Sequence, residues 1–205
     1  APSGAAVDVV GSYCSQLPVT VIADILGVPE NERSHILEFG ELAAPSLDIG
    51  LTWQQYLSVE SGLDGFNTWL SEHLRALRAN PGDNLLGDLA RAVDDGAIDG
   101  NVAVMMLVQL VGAGGESTAG LMGNATRLLA TLPDVQEQVR NDPQLVPALL
   151  EETLRLESPF RNHHRHIRND TTLAGVPLPK DGHLLLLWGS ANRDPAAFDD
   201  PDLLQ

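Results

Sequence analysis

Two clusters in this 205-residue chain combine groups that move protons with groups that hold geometry. The first is Gly112-Ala113-Gly114-Gly115-Glu116-Ser117-Thr118, with three glycines in four positions. Each glycine costs a helix about 1 kcal/mol relative to alanine. A sequence that accepts this cost needs another group close to its backbone. Glu116 then supplies an ionisable acid, while Ser117 and Thr118 supply hydroxyls. Such hydroxyls bond back to a carbonyl one turn earlier and bend or open a helix. The chemistry on offer is proton transfer in a groove free of side chains, with Glu116, Ser117 and Thr118 as catalytic candidates. The same residues also suit a helix crossing through small side chains, with Glu116 paired to a buried base.

The second cluster is Glu152 and Arg155, whose i, i+3 spacing puts acid and base on one helix face for a charge-assisted pair. The alternative is an ordinary surface pair worth a few tenths of a kcal/mol, by the usual measure of exposed ion pairs. His163, His164 and His166 form a third group that suits a transition metal by residue type. Neighbours in an extended segment point to opposite faces, however, and no further ligand set lies nearby. His35, His73 and His183 read as surface or partly buried residues without chemistry.

These residues need elements to hold them. Apolar spacing predicts a helix over Val7–Gly27, stopped by Gly27-Val28-Pro29, and a second from Pro29 to about Leu42. A long amphipathic helix follows from about Thr52 to Ala79, ended by Asn80-Pro81-Gly82-Asp83, and then a short one over Leu85–Val93. Asp99 is the expected N-cap of a helix over about Gly100–Thr131. Its first half is apolar on every side, which predicts a helix buried all round at the centre of the molecule. Pro133 opens another helix and Pro147–Glu157 a further one. Thr171–Leu173 and Val176–Leu178 flank Ala174-Gly175 as a hairpin, Leu184–Trp188 reads as a strand, and Asp194–Phe198 as a last helical turn. Helices followed by a small sheet predict a mainly α, α+β fold: one domain with a helical portion over 1–157 and the sheet with its following loop over 158–205.

Composition narrows the function. The net charge of −16 opposes binding to nucleic acid or anionic lipid. The single cysteine, Cys14, excludes an internal disulfide and a multi-cysteine metal site, and fits a cytoplasmic setting. No charged leader with an apolar core is visible, and Val102–Gly114, interrupted by Gln109, is short for a bilayer.

Taken in order, the motifs resemble those of the cytochrome P450 family, soluble bacterial type. Ala113-Gly114-x-Glu116-Ser117-Thr118 is similar to the distal helix of these haem-thiolate monooxygenases. Glu152-Thr153-Leu154-Arg155 followed by Ser158-Pro159 is similar to their Glu-x-x-Arg helix. Arg165 ahead of Asp170–Val176 matches the basic residue that holds a haem propionate, and Ala191-Asn192-Arg193-Asp194-Pro195 with Phe198 and Pro201 resembles the run before the haem-binding loop. Leu17–Ile22 and Gly27-Val28-Pro29 resemble an early helix of the bacterial members. The resemblance implies a P450-like helical core and insertion of one oxygen atom from O2 into a small apolar substrate. It further implies haem as cofactor and a ferredoxin-type electron donor. By position, Glu116 is the acid and Ser117 the alcohol of a proton relay. Ala113 and Gly114 line the oxygen groove, and Arg165 contacts haem. Phe160, Arg161 and Asn162 border the substrate pocket, while Glu152, Arg155 and Arg193 are structural.

Three departures qualify these expectations. Ser117 stands where the family has threonine, so Ser117 and Thr118 both remain candidates for the alcohol. Leu203 stands where an arginine commonly completes the Glu-x-x-Arg network. No metal ligand is assigned, because Cys14 precedes every motif and no cysteine loop follows. The chain therefore reads as a central fragment cut at both ends, expected to be inactive alone and to self-associate through its exposed central helix. Two alternatives from other classes are a haem-free binding or regulatory protein on the same scaffold, and a metal-dependent hydrolase using the histidine cluster.

Overall fold

The computed structural model describes residues 6–43, 50–78 and 81–205. The expected end of the long helix at Ala79 and Asn80 lies outside them. Two compact units account for the contacts, Ala1–Gly120 and Leu121–Gln205.

The first unit is all helix. A turn of π-helix at Val10–Cys14 leads into α1 (Gln16–Leu26), then α2 (Arg33–Ala43), α3 (Trp53–Leu77), α4 (Leu85–Asp94) and α5 (Gly100–Gly114). The boundaries follow local chemistry. Thr52 caps α3 by accepting from the Gln55 amide, while the Gln55 side chain accepts from the Thr52 amide. Asp99 caps α5 by accepting from the Asn101 amide at 2.8 Å. Each helix buries one stripe. In α4, for example, Leu86, Leu89 and Ala90 lie at i, i+3 and i+4. These stripes meet in one core with Ile22 and Leu26 of α1, Phe39 of α2 and Leu70 of α3. The Phe39 and Phe66 rings stack at 3.9 Å between α2 and α3.

The expected fully buried central helix is corrected in two respects. The helix breaks at Gly115, so that α6 (Glu116–Thr131) starts afresh. Nor is α5 buried all round: Ala103, Val104, Leu107 and Val111 face the core, while Val102, Met105, Met106 and Leu110 are exposed. The apolar residues encircle α5, but α1 to α4 supply partners for one face only. By length and composition alone, Gly100–Thr131 is apolar enough to cross a membrane. Its break at Gly115 and its core-packed face are those of a core helix.

The second unit carries the continuation of α6, then α7 (Pro133–Asn141) and α8 (Val146–Leu156). Two antiparallel ribbons follow. In one, β1 (His163–His166) pairs with β4 (His183–Leu186); in the other, β2 (Thr171–Leu173) pairs with β3 (Val176–Leu178). The expected β2–β3 hairpin forms around Ala174 and Gly175, both at positive φ (48° and 80°), as a two-residue primed turn requires. Trp188 does not extend β4; it opens a four-residue helix, α9 (Trp188–Ala191). Asp194–Phe198 forms a single turn closed by amides bonding to the Asp194 carbonyl.

Candidate functional site

The α5–α6 junction explains its glycines. A Cβ on Gly114 would sit 2.6 Å from Ile22 Cδ1, so the missing side chain lets α1 approach. This is the small-residue crossing that the sequence allows. At the break, the Gly115 amide still reaches the Val111 carbonyl at 3.3 Å, and the Ser117 hydroxyl donates to the Ala113 carbonyl at 2.6 Å. The hydroxyl thereby takes an acceptor that a straight helix would share with its own ladder. Ala113 and Thr118 are exposed, and Glu116 and Ser117 are half-buried. The Glu116 carboxylate turns toward α2: a Cβ on Gly40 would lie 3.8 Å from its Oε1. A cavity of about 50 Å³ opens there, lined by Ser15, Val19, Ile36, Gly40, Gly115 and Glu116 among others. That exceeds the roughly 10–15 Å³ one water needs, and Ser15 and Glu116 give it polar walls.

The Glu152–Arg155 pair is no surface pair. Arg155 is 7% exposed and grips Glu152 through two parallel bonds, Nε to Oε1 at 2.7 Å and Nη2 to Oε2 at 2.8 Å. Its remaining donors reach the carbonyls of Asn192 at 3.2 Å, Pro201 at 2.6 Å and Leu203 at 2.6 Å. The guanidinium also lies 5.0 Å from the centroid of the Phe198 ring. Glu152 Oε2 accepts from the Gln205 amide at 2.9 Å. The two bonds from Arg155 hold the Glu152 carboxyl below its ordinary range, against burial, which acts upward, and with help from the Gln205 amide. Arg155 is raised in turn by Glu152. Leu203 thus joins the network by its carbonyl. Arg193 adds a second tie, donating to the Leu156 carbonyl at 2.9 Å and pairing with Asp202.

Arg165 lies on β1, where its Nη1 donates to the His164 carbonyl at 2.9 Å. Phe160 and Asn162 are half-buried and Arg161 is exposed, in the segment leading from α8 into β1. Alternation puts His163 and Arg165 on one face of β1, and His164 and His166 on the other. The three neighbouring histidines therefore do not converge, and among the described residues no group of three or more His, Cys, Asp or Glu is arranged to hold a metal ion.

The sequence model of the cytochrome P450 family matches residues 69–203. Cytochrome P450 144 of Mycobacterium tuberculosis is 46% identical over 93% of this chain, and putative cytochrome P450 140 of Mycobacterium bovis is 46% identical over 95%. The chain belongs to the cytochrome P450 family. It spans 44% and 45% of those two P450s, less than half of either. Among solved P450s, the open form of EryK from S. erythraea superposes with a TM-score of 0.88 at 32% identity, covering 97% of this chain and 51% of that one. P450BioI, solved in complex with an acyl carrier protein ligated to hexadec-9Z-enoic acid, gives 0.90 at 26% identity, covering 96% and 51%. The mainly α core with a small sheet is thus the P450 fold.

Within this P450 chain, Arg193, expected to be structural alongside Glu152 and Arg155, contacts the Leu156 carbonyl and Asp202, while no expectation gave Asn192 or Asp202 a role. Asn192 offers its carbonyl to Arg155 and its side-chain amide, at 3.5 Å, to the Leu154 carbonyl. The available signal was the C-terminus of α8, whose last carbonyls need donors from elsewhere in the chain.

Proposed function

We propose that this chain is part of a haem-thiolate monooxygenase that inserts one oxygen atom from O2 into a small apolar substrate, and that residues 1–205 belong to a single P450 domain. The observation that best supports this reading is the break at Gly115. It sets an acid and a carbonyl-bonded hydroxyl on successive residues, in a chain 46% identical to cytochrome P450 144. Haem, when bound, supplies the iron centre that activates oxygen, and a cysteine thiolate on that iron favours O–O cleavage.

Each unit, taken by itself, offers residues that suit such a group. Arg165 carries a guanidinium on a strand face shared with the half-buried Leu184 and Leu186, which suits a propionate beside an apolar ring. Ala113 is exposed with only a methyl group, which leaves backbone beside it accessible for a flat ligand and O2, whereas the space a Gly114 side chain would take is filled by Ile22 of α1. Cys14 is fully buried in the first unit and is not proposed as the iron ligand.

Each remaining residue has a defined task. Glu116 collects protons from water in the cavity beside α2 and holds one at its carboxylate. Ser117 passes a proton from its hydroxyl, which the Ala113 carbonyl keeps oriented. Thr118 is the second candidate for that step. Phe160, Arg161 and Asn162 border the substrate. Glu152, Arg155 and Arg193 fix the segment from Asn192 to Gln205 against α8. Electrons come from a ferredoxin-type donor, and the acidic surface argues against a nucleic-acid partner or an anionic membrane.

The test is the absorbance spectrum of the reduced, CO-treated protein expressed from its full reading frame. A red-shifted, thiolate-type Soret band is expected, and its absence from haem-loaded protein overturns the reading. The 205 residues alone are expected to show no such band, since their single cysteine, Cys14, is fully buried in the first unit and precedes every motif in the sequence.

A further inference from the structure

We propose that His164, His166 and His183 bind a divalent transition metal on the face of the β1–β4 ribbon opposite Arg165, with Asp181 supporting His166. The ligand class is a borderline cation that takes imidazole nitrogen, zinc above all. The inference is independent of the haem reading, since none of these histidines shares a face with Arg165.

The case begins with register. His166 pairs with His183 and His164 with Leu185, so alternation gathers the three histidines on one face. His163 lies on the other face, which is why the run His163–His166 offers no converging set by itself. The partner strand supplies the third imidazole. Residues two apart on a strand are spaced by about 6.6 Å, and directly opposed ones have Cβ atoms about 4.5–5.5 Å apart. From such a triangle, three ring nitrogens can each come within about 2.0–2.1 Å of one ion. Three histidines also match the ligand count of an open zinc site, with a fourth position left for water.

The second step is what these side chains do now. The His166 and His183 rings meet edge-on with centroids 5.5 Å apart. All three histidines are exposed, and among the described residues no hydrogen bond engages the His164 or His183 ring. Their side chains are not closed around one point, but their backbone positions are those the site needs. Rotation about χ1 and χ2 of exposed imidazoles completes it.

His166 adds an independent sign. Its Nε2 faces Asp181 Oδ1 at 3.4 Å. A metal-bound histidine directs its other ring nitrogen at a carboxylate, which fixes the tautomer and raises the basicity of the ligand. With Nε2 turned to Asp181, Nδ1 is left for the metal. Asp181 keeps that place at φ 64°, its amide bonded to the Ile167 carbonyl at 2.8 Å, on the turn that leads into β4. A chain of net charge −16 also attracts cations. A two-stranded ribbon is marginal by itself, so an ion that joins β1 to β4 stabilises the pair.

The experiment uses untagged protein from the full reading frame, stripped of metal by chelator and titrated calorimetrically with zinc chloride. His164→Ala, His166→Ala and His183→Ala should each weaken zinc by at least about tenfold, and Asp181→Asn by about tenfold, as loss of a supporting carboxylate does. His163→Ala, on the opposite face, should bind zinc as wild type does. All five positions are exposed, and circular dichroism checks that each variant folds. Cobalt(II) in place of zinc should show the strong visible bands of a four-coordinate ion. Equal zinc affinity in wild type and His183→Ala overturns the proposal. So does a loss in His163→Ala as large as that in His166→Ala, or a cobalt spectrum that is only six-coordinate. Haem uptake enters none of these measurements, so failure here leaves the haem reading standing, and the converse holds.

Discussion

Arg155 holds Glu152 by two parallel bonds of 2.7 and 2.8 Å, and spends the rest of its guanidinium on the carbonyls of Asn192, Pro201 and Leu203. One buried cation thus ties α8 to the segment that follows α9. Removing one partner of a buried pair strands the other, which costs about 3–5 kcal/mol. Arg155→Ala is expected to lower the unfolding free energy by that amount, measured by urea denaturation. Arg155→Lys should recover little, because an ammonium group cannot reproduce the fork that serves a carboxylate and three carbonyls. A lysine variant as stable as wild type would show that charge alone, rather than fork geometry, matters here.

The same pair sets an acid limit. The folded state holds Glu152 below its ordinary value of 4.5, chiefly through Arg155. A depressed carboxyl contributes stability that is fully present above the unfolded value and is lost as pH falls through the folded one. Stability of wild type should therefore fall more steeply below about pH 4.5 than that of Glu152→Gln, which has no proton to take up there. Denaturation midpoints across pH 3–6 test this, and parallel curves for the two proteins would rule it out.

Much of this was legible in the residues because local chemistry wrote it. Thr52, Asp99 and Pro133 mark helix starts through their capping groups or fixed φ, and the structure honours all three. Ala174-Gly175 marks the hairpin in the same way. What escaped depends on partners distant in sequence. The exposure of one face of α5 follows from which helices pack on it, and the apolar pattern carries no record of that. The direction of Glu116 depends on α2, and the capture of Leu203 by Arg155 spans 48 positions through a backbone carbonyl, which no side-chain pattern records. Trp188 read as a strand residue on propensity, yet it opens α9 and its indole Nε1 lies 3.3 Å from His163 Nδ1.

Gly114 and Ile22 give a packing prediction. A methyl group at 114 would meet only the flexible end of Ile22, so Gly114→Ala should cost little: the helix gains about 1 kcal/mol of propensity against a strained rotamer of about 0.5–1.5 kcal/mol. Gly114→Val exceeds that space and should cost about 1–3 kcal/mol by overpacking. In an Ile22→Ala background, the cost of Gly114→Val should shrink by at least about 0.5 kcal/mol, the sign of direct coupling. Additive effects in thermal unfolding would place the contact elsewhere.

Ser117 and Thr118 can be separated by function. Only Ser117 has its hydroxyl anchored on the Ala113 carbonyl, while Thr118 is exposed. A positioned hydroxyl that relays protons contributes about 10²–10⁴-fold in rate. With the full reading frame, an apolar substrate and a ferredoxin-type donor, Ser117→Ala should lower product formation by at least about tenfold, and more of the consumed oxygen should appear as peroxide. Ser117→Thr keeps the hydroxyl and its bond to the carbonyl one turn back, and so should restore coupling. Thr118→Val should remain within about twofold of wild type, since its hydroxyl is not part of the anchored pair. The ratio of peroxide to product distinguishes a relay from a structural role. A helix merely bent less by loss of the Ser117 bond would change turnover and stability together without diverting oxygen. If Thr118→Val uncouples the reaction and Ser117→Ala does not, the relay belongs to the neighbouring hydroxyl.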